Sequence, residues 1–248
     1  GHNRRHLLRY HEAGGHCFQP DAQGPCASIL VSYDVRRGVE NPAGDRFMTA
    51  AAHGIGFDEQ LWQIGPQGRK KLIGEAVQEI SFTGISLVKL GDDITFSNET
   101  FENSAGEAPQ FKRLFGEDPA CDKTIDGNCY LDSPYTGNIE GFVVMNSVRI
   151  EKSSHPTESA FRYVIYSWLY FGQEEGDTHK LRPPDGTCGS AIWDDNGVIL
   201  GFFLYYITSG RFAGFAATVN ASELVKAGYK TGQISLRCTF STFSSQFD

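Results

Sequence analysis

Positive charge is scarce in this chain: 22 Lys and Arg stand against 30 Asp and Glu, a net charge of -8. Such a balance repels a phosphate backbone, so no nucleic-acid partner is expected. The chain also lacks any apolar run approaching the roughly 18 residues that cross a bilayer. Its first residues, GHNRRHLLRYHEAGG, have no apolar stretch of the secretory kind, and no membrane partner is expected. It begins at Gly1 without Met, as an excised fragment or a processed chain would. Cysteine is too sparse for a disulfide scaffold: Cys17, Cys26, Cys121, Cys129, Cys188 and Cys238 are the six present. Only Cys121 and Cys129, at the ends of the polar loop CDKTIDGNC, look able to pair. Internal repeats and low-complexity tracts are missing too. A cytoplasmic setting is the expectation, with a processed secreted form as its alternative; sequons at Asn98 and Asn220 are read as chance matches.

What is present is enough apolar material for a sizeable core, 40% hydrophobic and 12% aromatic over 248 residues. It comes as short β-branched and aromatic runs broken by Gly, Asn, Asp and Pro, among them CASILVSYDV, ISLVKL, GFVVMNSVRIEK and FRYVIYSWLYFG. That pattern argues for an all-β barrel or sandwich. Asp195, Asn196 and Gly197 lie between two apolar runs, so 191–193 and 198–203 should pair as a hairpin. One helix is expected, in NASELVKAGY, with Asn220 as cap, Glu223 completing a capping box and Gly228 ending it. Residues 104–137 fill with charge, Pro and Gly, as a long connection would. The aromatic stripe YVIYSWLYF, 163–171, reads as period-two core.

Two segments carry the chemistry. Residues 48–54, MTAAAHG, end a strand in small side chains followed by His53; residues 185–191, DGTCGSA, place Cys188 in a glycine turn ahead of the hairpin. Together they resemble the chymotrypsin-like peptidases, whose base sits in TAAH and whose nucleophile sits in GDSGG. A cysteine in the serine position is similar to the viral chymotrypsin-fold cysteine proteases. All seven histidines precede Cys188, in agreement with that order and against α/β-hydrolase and papain-like orders, where the base follows the nucleophile.

The resemblance implies a chymotrypsin-like double six-stranded β-barrel with a short C-terminal helix. One protease module would span 1–248, with an N-terminal barrel over 22–110, a connection over 111–137 and a C-terminal barrel over 138–236. It implies a cysteine endopeptidase acting on protein or peptide substrates without metal or cofactor. Cys188 would be the nucleophile, activated by His53, with Gly186 and Cys188 N–H groups forming the oxyanion hole. Arg182, six positions before the nucleophile, would floor the primary pocket, walled by Leu204, Tyr205 and Tyr206 with Gly214 opposite. A guanidinium there would select acidic residues. The alternative is a catalytically silent protease fold used as a binding module.

Two departures matter. Where the resembled strand opens with the family's acid, TGISLVKL has Gly84; Glu79 is the possible stand-in, and Asp92 and Asp93 lie at the strand's other end. Thr187 replaces the Asp that pairs with a newly cut N-terminus. Ser190 is the weaker alternative nucleophile. The cluster of His11, Glu12, His16, Cys17 and Cys26 has metal-ligand residue types, but misses H-E-x-x-H spacing and reads as a solvated arm.

Overall fold

The computed structural model describes residues 30–33, 46–55, 58–64, 70–80, 82–94, 98, 110–122, 127–133, 137–152, 160–171, 183 and 187–232. Among the described residues five strands come first: β1 (Leu30–Tyr33), β2 (Arg46–Ala51), β3 (Gln60–Ile64), β4 (Lys70–Ile80) and β5 (Ile85–Leu90). Then come β6 (Arg113–Leu114), β7 (Gly127–Ser133), β8 (Gly137–Lys152), β9 (Phe161–Phe171), β10 (Ala191–Trp193), β11 (Val198–Tyr206), β12 (Ala216–Asn220), helix α1 (Ser222–Lys226) and β13 (Tyr229–Thr231). They form two sheets. The first runs β13-β1-β2-β5-β4-β3; the second runs β10-β7-β8-β9-β12-β11-β6, and a β10–β11 pairing closes its first six strands into a barrel. This is the all-β architecture that the sequence pattern predicts and, among the described residues, the two-barrel form with one short helix that the resemblance implies.

The 191–193 and 198–203 runs pair as expected, Ala191 opposite Phe202. Gly197 takes φ +75, and the Asp194 carboxylate accepts the N–H groups of Asn196 and Val198, so the turn residues serve the hairpin. Three expectations change. The stretch 111–137 is not merely a connection, since it supplies β6 and β7 to the second sheet, while β13 crosses back to pair with β1. Cys121 and Cys129 are unbonded thiols, because Cys129 points into the second-barrel core and Cys121 is exposed. Glu223 makes no capping box: fully buried, it accepts from Arg162, Lys226 and the Ile165 N–H, while Asn220 Oδ1 receives the Ser222 N–H at 3.0 Å. The aromatic stripe is core at Tyr166, Leu169 and Phe171, but Tyr163 at its start is exposed.

The largest shared core joins the two sheets. Ile80, Ile85 and Leu87 of the first pack with Ala191, Ile199 and Phe202 of the second and with Leu224 of α1. This apolar seam packs β4 and β5 against β10, β11 and α1.

Candidate active site

His53 stands in a single 3-10 turn, Ala52–Gly54, at the end of β2. That turn is tied to the β4–β5 corner by a 2.8 Å bond from the Ala52 N–H to the Gly84 carbonyl. The corner itself is tightly specified. Ile80 O accepts both the N–H and the hydroxyl of Thr83, whose Oγ1 in turn accepts the Ile85 N–H. Phe82 and Gly84 take φ +63 and +69. The imidazole lies at an exposed end of the strand, yet enough protein crowds it that loss of hydration lowers its pKa from the ordinary 6.5.

Cys188 is half-buried at the rim of the second-barrel core. Its turn is held by Gly189 N–H to Phe203 O (2.7 Å), Ser190 N–H to Thr187 O (3.1 Å) and Phe203 N–H to Ser190 O (2.8 Å). Its thiol donates to the Leu204 carbonyl at 3.0 Å. The approach of the two segments runs through glycine. At Gly189, φ +86, a Cβ would lie 2.7 Å from the Ala51 nitrogen and 3.2 Å from the Ala51 methyl. Only glycine on one side and alanine on the other lets the backbones come this close. This is the physical content of TAAAH and GTCGS: small residues put the chain beside Cys188 against the strand that ends two residues before His53.

At the position where the resembled family carries its acid, this chain has Gly84, a residue without a side chain. Where a Cβ of Gly84 would be, the nearest atom is Leu204 Cδ2 at 3.8 Å, so the space is faced by an alkyl group. Glu79 is nevertheless brought to the same corner, its Oε1 accepting the Gly84 N–H at 3.3 Å. Asp93 is at the far end of β5, paired with Lys71 at 3.4 Å. Ser190 is fully buried, so no substrate can reach its hydroxyl.

Leu204, Tyr205, Tyr206 and Gly214 lie along one stretch of β11 and its return toward β12. Tyr205 and Tyr206 pair with Ala217 and Ala216, and the ladder extends through Gly214 N–H to Ile207 O. Gly186 and Arg182 lie outside the described residues, as do His11, His16, Cys17 and Cys26. Among the described residues, His53 is the only histidine. One charged group of this region gave no sequence signal beyond its place in an alternating strand: Arg149 of β8, whose Nη1 donates to Tyr205 Oη at 2.8 Å.

No protein-family model matches the sequence, and no curated protein matches it either. Solved structures do. A glutamic acid specific serine protease that uses a histidine triad in substrate binding is similar with TM-score 0.53 and 13% identity, over 84% of this chain and 93% of its own. Nocardiopsis protease is similar with TM-score 0.50 and 12% identity, over 85% of this chain and 94% of its own. At such identity the likeness is one of fold, and the fold is the chymotrypsin-like double β-barrel.

Proposed function

We propose that the protein is a cysteine endopeptidase working through a dyad of Cys188 and His53, with a preference for acidic residues in its substrate. Neutral His53 takes the thiol proton as Sγ attacks the peptide carbonyl carbon. The C–N bond breaks as the imidazolium gives that proton to the leaving amine, and water hydrolyses the thioester. The N–H groups of Cys188 and Gly186 would stabilise the oxyanion, about 3 to 4 kcal/mol each. A thiol, being more acidic than a hydroxyl, works without a dedicated acid, which fits glycine at position 84. The observation that carries this reading is the close approach of Gly189 to Ala51, which sets the thiol's turn beside the histidine's strand.

Alkylation by iodoacetamide near neutral pH tests it. Cys129 is pushed up to about 12 by burial, and a hydrogen bond to Asp118 raises the exposed Cys121, so both should react slowly. Cys188 should label first, and its rate should fall in His53→Ala. The facing of Gly84 by Leu204 favours a second reading, a silent fold that binds peptides without cutting them. Labelling of Cys188 no faster than of Cys121 would support that second reading.

A further inference from the structure

β8 and β9 run on as a two-stranded arm beyond the barrel. β7 leaves β8 at Val143 and β12 leaves β9 at Tyr166, while the β8–β9 ladder continues to Lys152 opposite Phe161. Alternation gives the arm two faces. Arg149, Glu151, Arg162, Val164 and Tyr166 share one, and that face is satisfied within the chain. Arg162 donates to the buried Glu223 of α1, Arg149 lies 3.4 Å from Glu151, and Val164 and Tyr166 pack with Val219, Phe82 and Leu204.

The opposite face sets Val148, Ile150 and Lys152 of β8 across from Ile165, Tyr163 and Phe161 of β9. Here Val148, Ile150, Phe161 and Tyr163 are 60 to 68% exposed. Lys152 is its one charge among the described residues, its Nζ 5.7 Å from the centre of the Phe161 ring. Where the arm meets the barrel, the same face opens into a hollow of about 390 Å³ lined by Phe115, Val148, Ile165, Asn220 and Ser222. The Ser222 hydroxyl is buried and has no hydrogen-bond partner among the described residues. An apolar projection and a recess therefore lie on one surface, with about 13 Å of strand between Ile165 and Phe161.

Exposed apolar surface on the order of 500 Å² in one patch is as much as a monomer ordinarily shows, and such patches mark interaction sites. A net charge of -8 repels an anionic bilayer. A second copy of the chain fits better. A projection and a recess on one surface are self-complementary under a two-fold axis. With the Ile150 and Tyr163 pair at the axis, each Phe161 enters the hollow of the other copy, and the Lys152 ammonium on its ring can donate to Ser222 Oγ. The hollow and its rim add to the patch, towards the roughly 800 Å² that each partner buries in a standard interface. With Lys152 as its only charge, the face brings little repulsion of its own to the pairing.

We propose that the protein forms a two-fold dimer through this face of the β8–β9 arm, Phe161 of each copy filling the barrel-end hollow of the other. The proposal takes nothing from the peptidase reading.

Sedimentation equilibrium of the full chain tests it, over concentrations up to about 100 µM. A monomer–dimer equilibrium is expected in that range. Phe161→Glu and Ile150→Lys should each raise the dissociation constant by roughly a hundred-fold or more, because a two-fold interface carries every substitution twice. Trp62→Glu, which charges an exposed side chain of β3 away from the arm, should leave it unchanged. Circular dichroism checks that each variant is folded, which is expected because the replaced side chains are exposed. A chain that stays monomeric throughout overturns the proposal, whether it then pellets with anionic vesicles, which would give the face to a bilayer, or does not. A dimer that survives both arm substitutions, or is lost in Trp62→Glu, overturns it equally by placing the interface elsewhere.

Discussion

At the scale of single residues the argument rests on what each thiol and hydroxyl can reach. Ser190 belongs to the same turn as Cys188, but its hydroxyl is sealed in the core. Cys188→Ala should therefore abolish cleavage, by more than about a thousand-fold as removal of a nucleophile does, whereas Ser190→Ala should leave turnover within about two-fold because a buried hydroxyl touches no substrate. Peptide hydrolysis by the two variants decides this. The histidine makes a pH prediction. Desolvation lowers the His53 pKa from 6.5, which stabilises the neutral base, so the active form persists to lower pH than an ordinary imidazole allows. The acid limb of kcat/KM should have its midpoint below 6.5; a midpoint at or above that value would contradict the assignment.

At the scale of elements, two glycines decide whether the site assembles. Gly189→Ala must push a methyl against the Ala51 backbone at positive φ, so it should cost about 2 to 3 kcal/mol and remove activity together. Thermal unfolding and peptide hydrolysis measured on one preparation would reveal whether the two losses coincide. Gly84 behaves differently. Gly84→Asp would place a carboxylate where the resembled family has one, but the residue sits at φ +69 and faces Leu204. Asp there should lower stability by about 1 kcal/mol and leave kcat no higher than in the parent. A rise in kcat would mean that His53 lacks an orienting carboxylate and accepts a new one. The contribution of Glu79, held at the same corner by the Gly84 N–H, is read from Glu79→Gln, in which a collapse of kcat with unchanged melting would make it a third member of the site.

At the scale of the whole molecule, the two sheets are not independent. The core shared by Ile80, Ile85, Leu87, Ile199 and Phe202 lies between them, and β13, from the C-terminal side, completes the first sheet beside β1. Thr231 is further pinned by its N–H and hydroxyl on Glu117, in the segment that leads to the second barrel. Unfolding should be a single cooperative transition by calorimetry, and residues 138–236 alone should fail to fold, because they would expose that core and lose β6 and β7. Two resolved transitions would show separable barrels. Among the described residues no helix is long and apolar enough to cross a membrane.

The sequence by itself determined what local chemistry determines. Period-two runs broken by turn residues specify strands, Asp-Asp-Asn-Gly specifies the β10–β11 hairpin, and TAAAH and GTCGS give the chain order of His53 and Cys188. Each is a property of a few neighbouring residues. Strand assignment within 111–137 failed at β6 because its two residues carry no periodicity and pair with the distant β11, and at β7 because GNCYLDS is rich in turn-type residues although it pairs with the neighbouring β8. The Cys121–Cys129 pairing failed because side-chain direction, not spacing, sends one thiol into the core. Glu223 looked like a cap because its spacing is that of a capping box, yet burial beside Arg162 gave its carboxylate stronger donors than the helix end. Arg149 was invisible for the same reason: an arginine in an alternating strand looks like a solvated face until the arm lays it on Tyr205, a residue far along the chain. Only the tertiary structure brings these groups together, since none of their distances is set by separation in sequence.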